Sequence, residues 1–368
     1  MTVALFIVVL AVLVFVHELG HFLAARSVGV RVTEFGIGFP PRLYSRKPKR
    51  SETTYSINLI PFGGFVKLFK EDEDTGTLSS EDFSYTLDSR KWWQKIWVLS
   101  AGVLFNVLLA WILTSIGLSV GLQVSVDETT PGVVDTPSVI ALHVENNSPA
   151  ALSGFVAGDS FLRICDITDT CVTQPTIEEV MSFISERPKE ILEVEVNRRG
   201  TKEILSVIPE VREIDGKERA VIGVVLDTTA TVKLPLWRSV VEGGSMTLNA
   251  LRNVSVGLWG FLVRTVTGRA DFSQIAGPVG IAGLTGDAVS EGFSALLSFA
   301  AILSLNLAVI NLIPFPALDG GRILFVFIEM IKRSPIKPIV ANTLNIIGFA
   351  LLILLMIIVT VNDLVRLF

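Results

Sequence analysis

The stretch VALFIVVLAVLVFVHELGHFLAA, residues 3–25, decides the class of fold. It carries no charge from Val3 to Val16, and apolar character resumes after His21 through Ala25. A helix crosses bilayer hydrocarbon with about 20 apolar residues, so this segment reads as a membrane span. It has no basic leader and no small-residue cleavage site, which favours a retained helix over a removed signal peptide. Trp97–Leu122 reads as a second span. A third stretch begins near Phe293 and is apolar to Ile313. The break PFPALDGGR, residues 314–322, follows it, and apolar character then returns to Ile331. Ile339–Val361 is the fourth span. Composition agrees: of 368 residues 50% are hydrophobic and 18% charged, against about 25% charged in soluble domains. The net charge of −5 gives no basic footprint for nucleic acid. The 2 cysteines cannot build a disulfide scaffold or a four-cysteine zinc site.

Orientation follows from Lys and Arg in short loops. Residues 22–95 carry twelve of them, and the connection after the third span adds Arg322, Lys332, Arg333 and Lys337. Both loops are expected in the cytoplasm, with the 123–292 insert and both termini outside. The expected division is a first span over 1–28, a cytoplasmic loop over 29–93 and a second span over 94–122. An external domain over 130–211, a linker over 212–292 and spans over 293–332 and 339–368 complete it. Strand-like runs at Ile140–Val144, Ser160–Ile164, Leu192–Val196, Ile204–Ile208 and Val221–Val225, with a short helix over Ile177–Ser185, make the insert α+β. Leu236–Thr267 has helical spacing; it is either an amphipathic surface helix or one packed on the external domain. In the cytoplasmic loop, Thr53–Ile60, Pro61–Gly64 and Phe65–Phe69 read as a membrane-associated β-hairpin beside the first helix. The acidic run Glu71–Asp74 lacks the spacing of a Ca²⁺ loop and reads as solvated.

The chemistry concentrates in His17-Glu18-Leu19-Gly20-His21. Positions i and i+4 share one helix face, so both imidazoles can bind one metal, with Glu18 beside them as a general base. Two neutral imidazoles suit Zn²⁺. Ionisable residues inside a span are costly and mark function. A catalytic zinc usually takes three protein ligands. Of the 3 histidines, the last, His143, lies in the insert and reads as an ordinary strand residue. Asp319 is the candidate third ligand, in a Pro/Gly-broken stretch of the kind tolerated only within protein or beside water. The other reading of Asp319 is a helix cap in a cytoplasmic turn.

Several motifs in this order resemble the site-2 protease family of intramembrane zinc metalloproteases, in particular the bacterial regulated-intramembrane-proteolysis branch with a PDZ domain. They are HELGH, NLIPFPALDGGR, EFGIGFPPRLYS with YSINLIPFGGFVKL, AGVLFNVLLA and IAGPVGIAG. The resemblance covers most of the chain. It implies a polytopic α-helical membrane protein with an inserted extracytoplasmic PDZ domain, in the bacterial inner membrane. It implies one Zn²⁺ per chain on His17, His21 and Asp319, and Glu18 as general base. Asn311 matches a family asparagine that positions the scissile carbonyl or the oxyanion; a helix–helix hydrogen bond is the competing reading. Asn106 and Asn306 are open in the same way. SPAALSGFVAGDSFLRI and NRRGTKEILSVIPE are similar to PDZ segments. The chain departs from the family where Cys165 and Cys171 flank a longer turn; these form either a disulfide or two free thiols.

The activity so implied is cleavage of single-span membrane proteins after a first protease has removed their external domain, releasing regulators such as anti-sigma factors or clearing remnant signal peptides. A helical substrate must be unwound there, and its freed backbone groups need partners. Strand addition along Ser56, Ile57, Asn58 and Leu59 would supply them. The rival readings are a non-catalytic PDZ-bearing receptor and a metal transporter; Glu18 next to His17 favours catalysis.

Overall fold

A computed structural model describes residues 2–49, 52–69, 79–127, 130–198, 200–214, 217–268, 277–334 and 336–367. Glu71–Asp74, the turn at Asp215–Gly216, Arg50, Lys70 and Arg199 lie outside the described residues, as do Ile275 and Ala276 of the IAGPVGIAG segment. The chain forms two compact units, 1–116 with 237–368, and 117–236.

In the first unit α1 (Thr2–Ser27) is followed by β1 (Val32–Arg46), β2 (Thr54–Leu68), the short α2 (Ser80–Phe83) and α3 (Trp92–Val120). The two long strands each fold back and make one sheet of four segments. Phe35, Gly36 and Ile37 pair with Val66, Phe65 and Gly64 on one side and with Tyr55, Ser56 and Ile57 on the other. Tyr44, Ser45 and Arg46 pair in turn with Ile57, Ser56 and Tyr55. This corrects the hairpin expected over Thr53–Phe69: the chain from 32 to 37 is inserted between its two arms. The substrate edge expected at Ser56–Leu59 is corrected with it. Ser56, Ile57 and Asn58 have strand partners already. Ser56 also donates to Glu34 Oε1 at 2.6 Å, and Asn58 Nδ2 donates to the Gly38 carbonyl at 2.9 Å. Among the described residues no strand pairs with the outer side of Gly64–Leu68. Phe22 and Ala25 of α1, Phe35, Leu68, and Val98 and Ala101 of α3 share one buried cluster, which fixes the sheet against both helices.

The second unit holds β3 (Leu122–Ser125), β4 (Ser138–Val144), α4 (Pro149–Leu152), β5 (Ser160–Cys165), β6 (Cys171–Thr173) and α5 (Ile177–Ser185). It continues through β7 (Leu192–Arg198), β8 (Thr201–Val207), β9 (Glu210–Ile214), β10 (Lys217–Val221) and β11 (Val224–Val232). The main sheet runs β3-β11-β4-β5-β7-β8, with β6 on β5, while β9 and β10 pair separately. Alternation places Leu192, Val194 and Val196 in the core with Phe161, Ile164 and Val180. A capping box between Thr176 and Glu179 starts α5. Asp159, buried, is paired with Arg198 at 2.7 Å. Cys165 and Cys171 are joined as a disulfide across β5 and β6. The sheet reaches beyond the expected 130–211, because β3 and β11 belong to it. The single strand expected at Val221–Val225 is two: Gly223, at φ +78°, turns the chain and its carbonyl accepts from the Glu145 N–H.

The chain returns to the first unit with α6 (Leu236–Val266), α7 (Pro278–Glu291), α8 (Phe293–Leu312), α9 (Asp319–Lys332) and α10 (Pro338–Leu367). Among the described residues four helices are long and apolar enough to cross a membrane: Thr2–Ser27, Trp92–Val120, Phe293–Leu312 and Ile339–Val365. The helical spacing read at 236–267 corresponds to α6, whose Val240 carbonyl accepts from Trp111 Nε1 of α3 at 2.8 Å. Pro314 and Pro316 separate α8 from α9. Ala317, at positive φ, is held there by Asn345 of α10, whose Oδ1 accepts from its N–H.

Candidate metal centre

Helical spacing puts His17 and His21 on one face of α1. Asp319, the first residue of α9, is brought to them by the broken segment. His17 Nε2 and His21 Nε2 lie 3.1 and 3.2 Å from Asp319 Oδ2, and 3.2 Å from each other. Among the described residues these three form the one group of His, Cys, Asp or Glu able to share a metal ion. Tetrahedral zinc with bonds of 2.0–2.1 Å sets its ligand atoms about 3.3 Å apart, so the triangle has the right edges.

The outer partners of the two rings come from one stripe of α3, at Val98, Gly102 and Asn106, each four residues after the last. His21 Nδ1–H donates to the Val98 carbonyl at 2.8 Å, which leaves Nε2 with its lone pair. The Asn106 amide lies 3.1 Å from His17 Nδ1 through Nδ2, while its Oδ1 is buried without a partner. The two ends of an amide are nearly identical in shape. We assign the amide with its oxygen toward His17. Oδ1 then accepts from Nδ1–H and His17 Nε2 also faces the centre with a lone pair, as a zinc ligand requires. The orphaned oxygen is therefore accounted for by a metal-binding tautomer. Gly102 fits between the two rings: a Cβ there would stand 2.6 Å from His17 Cε1 and 2.7 Å from His17 Nε2, and against His21 Nε2.

Glu18 lines the same cavity of about 200 Å³, with the Gly64–Leu68 edge on another wall. Arg322, read from sequence only as an orienting charge, also lines it. It lies one turn after Asp319 on α9, a spacing that could have flagged it. Asn106, left open by the sequence, and Gly102, unmarked by it, are the residues that the geometry adds beside the two rings. Asn311 is half-buried on the last turn of α8 and does not line the cavity. Asn306 is spent within α8, donating to the Ile302 carbonyl at 3.0 Å. His143 is exposed on β4 of the second unit.

The family model described as Peptidase family M50 matches residues 5–355. The regulator of sigma-W protease RasP of Bacillus subtilis is 31% identical, over 100% of this chain and 99% of the relative. The zinc metalloproteases RasP of Geobacillus kaustophilus and Bacillus licheniformis are each 30% identical, over 99% and 100% of this chain and 97% and 99% of theirs.

Proposed function

This chain belongs to peptidase family M50, and from that membership we propose that it is an intramembrane zinc endopeptidase acting on single-span membrane proteins. The observation that carries the proposal is the closed triangle of two imidazole nitrogens and a carboxylate oxygen, with Glu18 on the same cavity wall. His17, His21 and Asp319 would hold one Zn²⁺. When bound, zinc supplies Lewis acidity, which readies water for attack near neutral pH and polarises a carbonyl. Glu18 takes the proton of the attacking water and delivers it to the departing amine nitrogen. Val98 and Asn106 hold the imidazoles in the required tautomer throughout.

A transmembrane helix must unwind before its peptide bonds are accessible, and its freed groups need partners. The unpaired edge at Gly64–Leu68 supports strand addition there, beside Glu18, in place of Ser56–Leu59. Asn311 does not line the metal cavity; for the role the family resemblance gives it, positioning the scissile carbonyl or the oxyanion, it would have to reach the bound substrate from the last turn of α8. Four apolar helices and the loop charges support a multi-pass protein of a bacterial inner membrane, with the metal cavity toward the cytoplasm. The unit over 117–236 is read as a PDZ domain on the opposite side, where it would filter substrates or bind a newly made C-terminus. On the likeness to the sigma-W regulator, the substrates proposed are pre-cleaved regulators such as anti-sigma factors, or remnant signal peptides.

Co-expression with a panel of tagged single-span proteins tests this. Glu18→Gln should abolish cleavage while the purified protein keeps one zinc per chain. A receptor or a transporter would keep its function in that variant, and cleavage that survives it overturns the proposal.

A further inference from the structure

A second cavity, of about 540 Å³, lies between α1 and the sheet and shares no lining residue with the metal cavity. Its size falls in the range of roughly 300–1,000 Å³ usual for small-molecule sites. Phe15, Leu19 and Phe22 of α1 form one wall, and Ile37, Tyr55 and Ile57 of the sheet form the other. Nothing in the described chain closes it: Tyr44, also on its wall, is 58% exposed and Ile57 51%.

The charges around this cavity are unbalanced. Arg46 lines it, and the Arg26 guanidinium lies 5.4 Å from the ring centroid of Phe22. Elsewhere on the sheet Arg42 is paired with Glu34 and Arg31 with Glu52. Arg26 and Arg46 have no carboxylate partner among the described residues, and Lys47 and Lys49 follow directly in sequence. An apolar slot thus ends at a group of unneutralised cations. Its length is informative as well. Phe15 and Arg26 are separated by about 16 Å of helix at 1.5 Å per residue. Half the hydrocarbon core of a bilayer, one leaflet, is about 15 Å.

We propose that this cavity binds an anionic phospholipid. One acyl chain lies along Phe22, Leu19 and Phe15, and the headgroup phosphate meets Arg46 and Arg26 as charge-assisted hydrogen bonds. A zwitterionic lipid fills the apolar slot equally well and adds an ammonium beside Arg26 and Arg46, so the site selects net negative headgroups.

The test is native mass spectrometry of the full-length protein released from mixed micelles containing equal phosphatidylglycerol and phosphatidylcholine. Wild type should retain phosphatidylglycerol with roughly tenfold preference. Combining Arg26→Gln with Arg46→Gln should abolish the preference. Ile57→Trp, which narrows the slot from a half-exposed position, should lower retention of both lipids. Unchanged zinc content and helical circular dichroism show that the variants are folded. Equal retention of the two lipids by wild type overturns the proposal. So does a preference that survives both variants, or a photo-crosslinker at Ile57 that captures a single-span substrate and no lipid.

Discussion

Replacing Gly102 by Ala should lower zinc affinity at least about 100-fold without unfolding the protein. The added methyl carbon would stand 2.6 Å from His17 Cε1 and 2.7 Å from His17 Nε2, and would also press on His21 Nε2. Ordinary carbon contacts begin near 3.5 Å, so the rings must yield by roughly 0.9 Å or more. Metal–ligand distances hold to about ±0.2 Å, less than a quarter of that displacement. The rings cannot swing aside freely, because Val98 and Asn106 hold their far nitrogens from the same helix that carries the new methyl. Loss of one outer partner costs about 10–100-fold in metal affinity. Displacing the ligands themselves should cost at least the upper figure, or about 2.7 kcal/mol. Competition against a fluorescent zinc chelator measures it on the purified chain. Gly257→Ala, where a Cβ meets nothing within 4 Å, is the control and should bind as wild type does. Affinity within about threefold of wild type in Gly102→Ala, with helical content intact, would refute the argument that α3 seats the two histidines.

Asn106→Ala should lower zinc affinity roughly 10–100-fold, while Asn306→Ala leaves it unchanged; equal effects in the same chelator assay would remove the positioning role. Proline placed in turn at Phe65, Val66 and Lys67 should lower substrate cleavage and leave zinc stoichiometry intact; full cleavage in all three removes strand addition at this edge. The Asp166 carboxyl is held well below the usual carboxylate range, first by the Thr168 hydroxyl and then by Arg187. Its folded value is depressed, so its stabilisation is present above the unfolded value of about 3.9 and is lost as pH falls through the folded one. The gap in melting temperature between wild type and Asp166→Asn should therefore be steady above about pH 5 and shrink below about pH 4; a gap that does not shrink in acid contradicts this.

What was legible in the chain was what local spacing controls. The i and i+4 imidazoles follow from helix geometry, and Asp319 was marked by a carboxylate in a broken apolar stretch. The capped α5 and the alternating β7 were readable for the same reason. The four-segment sheet was not. A hairpin reading pairs neighbours in sequence, whereas 32–37 enters between 54–57 and 64–67, a non-local choice settled by burial against α1 and α3. The outer end of the 117–236 unit was missed likewise, since β11 enters the sheet between β3 and β4. Gly102 and Asn106 look in sequence like any small or polar residue of an apolar helix. Only the apposition of α3 to α1 gives them a role.

His17 and Asp319 stand 302 positions apart. With the proposed ligands, the ribosome would have to deliver most of the polypeptide before the metal site could form. On the proposed ligand set, a product that stops before Asp319 would lack the third ligand, so the metal site could close only late in synthesis.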